Sequence, residues 1–278
     1  MIPPVARRFI AGESAAVALE HARRLDQDGV GTILNLLGEH YDERELADED
    51  TRTYCDLLSE LDGLDLDVCI SVKPSQLGLD ISGDVFRRNL DRIVDTAVET
   101  DSFVWIDMEN RTTTDATLDA FEDQVRTYPE MGVCVQSNLK RTDDDLRRLA
   151  ALPGKVRLVK GAYDEPSAVA YTSKAQINEV YRDHLAFAFE AFDGGVAIGS
   201  HDPSVIEYAA DLHEEYGTSY EVQMLMGVRE DAQRELASAG VPVYQYAPYG
   251  TRWLSYFYRR VLERKENVLF ALRAILSG

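Results

Sequence analysis

Cysteine and lysine are scarce in this 278-residue chain, and a long apolar run is missing altogether. The three cysteines, Cys55, Cys69 and Cys134, are an odd number without Cys-x-x-Cys spacing. That argues against a disulfide framework and a thiolate zinc site, and they read as small apolar core residues. Arg7 and Arg8 are followed by no apolar stretch, so neither a signal peptide nor a membrane span is expected, and the protein is read as cytoplasmic. No Gly-x-Gly-x-x-Gly follows a strand pattern and no Walker loop occurs, so the usual dinucleotide and triphosphate cradles are absent. No His-x-x-x-His or similar spacing signals a metal. With no Pro- or Ser/Gly-rich linker, residues 1–278 read as a single domain.

Charge is lopsided. Of 29 basic residues only Lys73, Lys140, Lys155, Lys160, Lys174 and Lys265 are lysines, against 49 acidic residues and a net charge of -20. Such a balance argues against nonspecific nucleic-acid binding. The acids are spread over every expected helix as a solvated surface, which suggests a halophilic protein whose self-repulsion is screened by salt.

What the chain does contain is eight short β-branched runs, each followed by an amphipathic stretch. They are Thr32–Leu37, Asp67–Val72, Phe103–Asp107, Gly132–Gln136, Val156–Lys160, Val196–Gly199, Tyr220–Met224 and Val241–Tyr246. The intervening stretches have helical spacing, as in Gly83–Thr100, where Phe86, Leu90, Ile93, Val94 and Ala97 share a face. Thr142, Ser173, Asp202 and Thr251 are candidate N-caps. Eight alternations predict an α/β chain closed into a (βα)8 TIM-like barrel, with an extra N-terminal helix, Ser14–Asp28, placed to cover the bottom.

Polar residues gather at the C-terminal ends of these strands: Glu39, Lys73, Asp107 with Glu109, Gln136 with Asn138, Arg157 with Lys160, His201, Gln223 and Tyr246. Barrel enzymes build their active sites at this rim. In the third strand, residues two apart share a face, so Asp107 and Glu109 are expected inside the barrel while Val104, Ile106 and Met108 face the helices. Two such carboxylates call for cations or a substrate amine, and Lys73, Arg157 and Lys160 are at hand. Arg157 and Lys160 have opposite parity, so both point inward only if the strand breaks near Gly161. For His201 the competing reading is a helix cap, for Tyr163 and Tyr246 plain packing, and for Arg259 and Arg260 with Glu263 a surface ion-pair cluster. Residue patterns alone reach a rim-sited barrel enzyme for a small anionic substrate, and they do not reach a cofactor.

The strings Ser71-Val72-Lys73-Pro74-Ser75, Asp107-Met108-Glu109, Val135-Gln136-Ser137, Arg157-Leu158-Val159-Lys160-Gly161-Ala162-Tyr163, Ser200-His201-Asp202, Tyr246-Ala247-Pro248 and Arg259-Arg260 with Glu263, in this order, resemble the proline dehydrogenase family across almost the whole chain. The resemblance implies FAD held noncovalently at the open end of the barrel without a Rossmann domain. It places Arg157 against the flavin near N5 and Asp107 shaping the site. Gln136 and the backbone around Met108 would meet the isoalloxazine, and Lys160, Gly161, Ala162, Ser200 and His201 the ribityl-pyrophosphate. Lys73, Arg259 and Arg260 would bind the carboxylate of L-proline, supported by Tyr163, Tyr246 and Glu263. It further implies hydride transfer from proline C5 to FAD N5, giving Δ1-pyrroline-5-carboxylate. Electrons would then pass to a quinone-type acceptor through transient membrane contact, and a separate pyrroline-5-carboxylate dehydrogenase would follow. Two departures stand out: Ser137 and Asn138 follow Gln136 where the family often has a small residue and an aromatic, and Asp164 follows Tyr163 where many relatives have tryptophan. Two rival readings are a Schiff-base aldolase-type lyase using Lys160 or Lys73, and a noncatalytic proline-sensing barrel.

Overall fold

The computed structural model describes residue 3 and residues 6–254. Eight strands, β1 (Gly31–Leu36), β2 (Val68–Val72), β3 (Val104–Ile106), β4 (Met131–Gln136), β5 (Lys155–Val159), β6 (Val196–Gly199), β7 (Tyr220–Leu225) and β8 (Val243–Tyr249), close a barrel in sequence order. Every neighbouring pair is parallel, including the closing β1–β8 pair, in which Ile33 sits opposite Tyr246. Helices α2 (Arg44–Leu61), α3 (Gly83–Thr100), α4 (Thr114–Val125), α5 (Thr142–Leu149), α6 (Lys174–Ala191), α7 (Pro203–Tyr216) and α8 (Glu230–Ser238) make the seven crossovers. The chain is thus the expected (βα)8 barrel.

The period-two alternation of the strands sorts side chains into two layers. One parity packs outward: Leu34, Ile70, Val104, Ile106, Val133 and Leu158 join Leu57, Phe86, Leu118 and Tyr181 of the helices in the main core. In α3, Phe86, Leu90, Ile93, Val94 and Ala97 are all buried. Complete burial of each large apolar side chain is worth about 1.5–3 kcal/mol. The other parity fills the lumen, where Ile33, Cys69, Trp105 and Ala197 pack with Phe103, Tyr244 and Tyr246. Size is matched across strands: Trp105 sits opposite Gly132, where a Cβ would run into the indole, and Arg157 sits opposite Ala197.

Three expectations are corrected. The N-terminal helix, α1 (Ala15–Asp26), does not cover the bottom of the barrel. It lies along the outer wall at the β8–β1 seam: His21 Nε2 is 2.7 Å from Gln245 Oε1, and Leu25 packs with Val222 and Val243. That seam would otherwise leave outward-facing apolar residues of β7 and β8 uncovered. Thr142 is the first residue of α5 rather than its cap, because its hydroxyl donates to the Gln136 carbonyl at 2.6 Å. Thr251 lies in a bend two residues ahead of the helical Trp253, one position too early to cap. Ser173 occupies the cap position of α6 without a side-chain cap bond, whereas Asp202 caps α7 by accepting from Ser204 N at 3.1 Å, with Pro203 in the first turn.

Candidate active site

A cavity of about 730 Å³ opens at the C-terminal end of the strands, within the range of small-molecule and cofactor sites. Each expected site residue that lies among the described residues contributes to its lining: Lys73, Asp107, Met108, Gln136, Arg157, Lys160, Gly161, Ala162, Tyr163, Ser200, His201 and Tyr246. Arg259, Arg260 and Glu263 lie outside the described residues.

The floor of the cavity is an ion pair in the lumen. Arg157 Nη1 donates to Asp107 Oδ1 at 2.6 Å, with the side chains 5% and 14% exposed. Two more donors converge on the same carboxylate: Ser71 Oγ at 2.6 Å on Oδ1 and Tyr246 Oη at 2.6 Å on Oδ2. The guanidinium stacks over the Trp105 ring at 4.4 Å, and Gln223 Oε1 accepts from Arg157 Nε in a short bond. Burial works against the charge on Arg157, but Asp107 together with the neighbouring Cys134, Tyr246 and Cys69 outweighs it and holds its pKa above the ordinary arginine value. Burial, reinforced by Asp107, keeps the Tyr246 phenol protonated well above its usual range. One guanidinium nitrogen, Nη2, is buried and has no hydrogen-bond partner among the described residues. A buried donor left without a partner costs about 1–3 kcal/mol, so this atom marks where a ligand acceptor belongs.

The parity conflict at β5 resolves at the strand's end. Regular pairing stops at Val159, Gly161 takes a φ of +113°, and Lys160 therefore sits on the loop, where it reaches the cavity without pointing down the lumen. A Cβ at Gly161 would collide with Asn138, which is buried and has no partner for Oδ1 among the described residues. Lys160 Nζ lies 3.3 Å from Asp202, whose pKa is lowered: burial opposes the shift, and the Ser204 and Lys160 contacts overcome it. Gln136 bridges two rim loops by donating to the Glu109 carbonyl at 2.7 Å and accepting from Ala162 N at 3.4 Å. His201 is not the cap of α7. Its Nε2 accepts from Leu225 N at 2.9 Å, which fixes the proton of a neutral ring on Nδ1. Ser200 Oγ accepts from Asp202 N at 3.2 Å.

On the opposite wall, Lys73 Nζ stands 3.7 Å from Glu39. Glu109 was expected to share the lumen with Asp107, but β3 ends at Ile106 and strict alternation does not extend that far. Its carboxylate is instead taken up by Ser75, accepting from the backbone N at 2.7 Å and from Oγ at 2.6 Å. Burial raises its pKa, and the Ser75 bonds partly offset the rise. Residue patterns missed Ser71, Trp105 and the partnership of Gln223 with Arg157. Their common signal was available only as parity: Ser71, Trp105, Arg157 and Gln223 each lie an even number of residues from another lumen-facing position of the same strand.

A family profile described as proline dehydrogenase matches residues 18–273 of the chain. The chain belongs to the proline dehydrogenase family. Among curated proteins it is 34% identical over 282 residues to "Proline dehydrogenase" of Deinococcus radiodurans, covering 99% of this chain and 91% of that one. It is 32% identical over 276 residues to "Proline dehydrogenase 1" of Bacillus subtilis strain 168, covering 98% and 91%. The fold is similar to that of proline utilization A of Bdellovibrio bacteriovorus inactivated by N-propargylglycine, with a TM-score of 0.84 at 24% identity. That match covers 93% of this chain and 32% of the other, so the chain spans about a third of it. As a proline dehydrogenase it is an oxidoreductase acting on CH–NH groups. The aldolase-type reading is not favoured, and both lysines it required are paired with carboxylates. No helix among the described residues is long and apolar enough to cross a membrane.

Proposed function

We propose that the chain, acting as one domain over residues 1–278, oxidises L-proline to Δ1-pyrroline-5-carboxylate with FAD bound in the rim cavity. The observation that carries the FAD reading is the buried, unpartnered Nη2 of Arg157 on the cavity floor, held in place by Asp107 and Gln223. The donor set fits the group: a fixed cation at the floor, the Gln136 amide at the wall, and the Lys160 ammonium with the Gly161–Ala162 backbone at the mouth, suited to a pyrophosphate. When bound, FAD supplies the two-electron acceptor for the hydride that leaves proline C5.

The chain's own residues do the rest. Arg157 would offer positive charge to the hydride acceptor, on which negative charge grows, and Asp107 orients it. Lys73 is the described cation nearest the role of binding the substrate carboxylate, and Arg259 and Arg260 are proposed to share it. Tyr246 positions Asp107, and Tyr163 closes the mouth beside Asp164. Ser200 and His201, on the β6–α7 turn, would hold the ribityl-pyrophosphate part of the cofactor, and the backbone around Met108 would meet its isoalloxazine. Hydride loss requires the free amine of proline, so activity should rise with pH until the substrate ammonium is deprotonated.

By family expectation, the electrons pass on to a quinone-type acceptor at the membrane surface, where the protein docks peripherally from the cytoplasm. A separate pyrroline-5-carboxylate dehydrogenase takes the product. The deciding experiment is a visible spectrum of the purified protein before and after anaerobic L-proline. A flavin band that bleaches supports the assignment. A protein that takes up no added FAD and reduces no dye with proline overturns it.

A further inference from the structure

The lumen of the barrel carries a second carboxylate that the reaction as described does not use. Glu221 lies two residues before Gln223 on β7, on the same side of the strand, and is 6% exposed. Its Oε1 accepts from Gln223 Nε2 at 2.6 Å, and its Oε2 accepts from Lys155 Nζ at 2.6 Å. Gln223 passes its own Oε1 to Arg157 Nε, and Arg157 Nη1 continues to Asp107 at 2.6 Å. Lys155, Glu221, Gln223, Arg157 and Asp107 therefore form one hydrogen-bonded line from the N-terminal end of the barrel to the cavity floor.

The weak point of such a line is the amide. The two faces of the Gln223 head group have the same shape, so packing does not choose between its two orientations. Chemistry does: Arg157 can only donate, and an ionised carboxylate can only accept, so the amide oxygen is driven to the arginine and the NH2 to Glu221. We propose that Glu221 is a positioning residue of the dehydrogenase, locking the Gln223 amide so that its oxygen anchors Arg157 Nε and the guanidinium plane presents Nη2 at the cavity floor. The consequence for hydride transfer rests on the reading of Arg157 as the flavin-facing cation.

Lys155 supplies a test that a merely structural carboxylate would fail. In Glu221→Gln the volume is kept, but Lys155 Nζ can only donate and so claims the new amide's oxygen, leaving its NH2 facing Gln223. Gln223 must then confront a donor or flip and turn its own NH2 on Arg157 Nε–H. Either way Arg157 loses an anchor. Adding Lys155→Met frees the amide at 221 to turn its oxygen toward Gln223, and the Arg157 anchor returns.

The Nε–H resonance of Arg157, assigned by its loss in Arg157→Lys, is recorded in 15N-arginine-labelled protein without cofactor. In Glu221→Gln it should move toward the position of a solvent-exposed arginine, and in the double variant it should move back. With FAD added, anaerobic flavin reduction by proline should slow about tenfold in the single variant and recover to within about threefold in the double, with KM for proline changing less than about twofold. The flavin midpoint potential should become more negative in the single variant only. An unmoved resonance in Glu221→Gln, or a double variant no better than the single, overturns the positioning role even if the protein binds flavin normally. A wild-type protein that takes up no FAD overturns the flavin reading instead, so the two failures are told apart.

Discussion

The two ends of the barrel lumen are both polar, and they differ in whether their polar atoms are satisfied. At the N-terminal end, Tyr244 Oη donates to Asp67 at 2.8 Å and Lys155 Nζ to Glu221 at 2.6 Å, forming a plug whose polar groups all have partners. At the C-terminal end the charges are just as well placed, yet Arg157 Nη2, on the cavity lining, is buried with no partner among the described residues. A polar cluster that closes on itself holds a fold together, whereas one with open valences facing a cavity is shaped for something else. The rule points the ligand to the upper end without reference to any relative.

The difference between the two ends of the lumen is largest at Arg157. Arg157→Met should lower proline turnover by about 10²–10³, the usual cost of losing one fixed charge-stabilising donor, in steady-state assays with a dye acceptor. A variant that keeps wild-type activity would mean that the open valence at the upper end is not the reactive one. Trp105 lies between the two ends, 1% exposed beneath the guanidinium, so Trp105→Ala should cost about 3–5 kcal/mol in denaturant unfolding. Lys160 sits at the mouth, with Asp202 as its ion-pair partner among the described residues and the Tyr181 ring 5.8 Å from its ammonium. Lys160→Ala should therefore weaken FAD binding by about tenfold in equilibrium titration while leaving the unfolding midpoint of the cofactor-free protein near wild type.

A smaller effect separates the lumen from the outer wall. His184 is 2% exposed on α6, with Asp143 3.4 Å away, and burial holds its pKa below the ordinary 6.5 despite that carboxylate. His21, on α1, is shifted downward by burial as well. A histidine whose folded pKa is depressed leaves the unfolded state binding more protons, so stability is full above about pH 6.5 and falls as pH drops through and below it. Melting temperature should decline in that window, and less steeply in His184→Leu. The smallest expected change is general: molar KCl should raise the melting temperature of a chain with net charge -20 by screening its surface, and a flat response would sink the halophile proposal.

Much of this was legible in the residue order. Period-two runs such as Val104–Ile106 and the helical face of α3 are local consequences of side-chain geometry, and eight of them in alternation leave few topologies other than a closed parallel barrel. Rim residues were legible for the same reason, since the C-terminal end of a strand is defined along the chain. Exact ends were not. Asp107 and Lys160, expected within β3 and β5, fall just outside them, because a strand stops where its neighbours stop pairing. Glu109 was read by alternation past the point where alternation holds, and its true partner, Ser75, is 34 residues away. The position of α1 depended on which seam of the closed barrel was left uncovered.

Local periodicity and residue identity are enough to fix the class of fold, the face of each strand, the rim that carries the chemistry and, through the motifs, the family. Which polar groups meet is set by the closed barrel instead: Arg157 with Asp107 fifty positions away, Gln223 with Arg157, and Glu221 with Lys155. Barrel closure and register set those distances. Both are properties of all eight strands at once, and no single stretch of chain contains them.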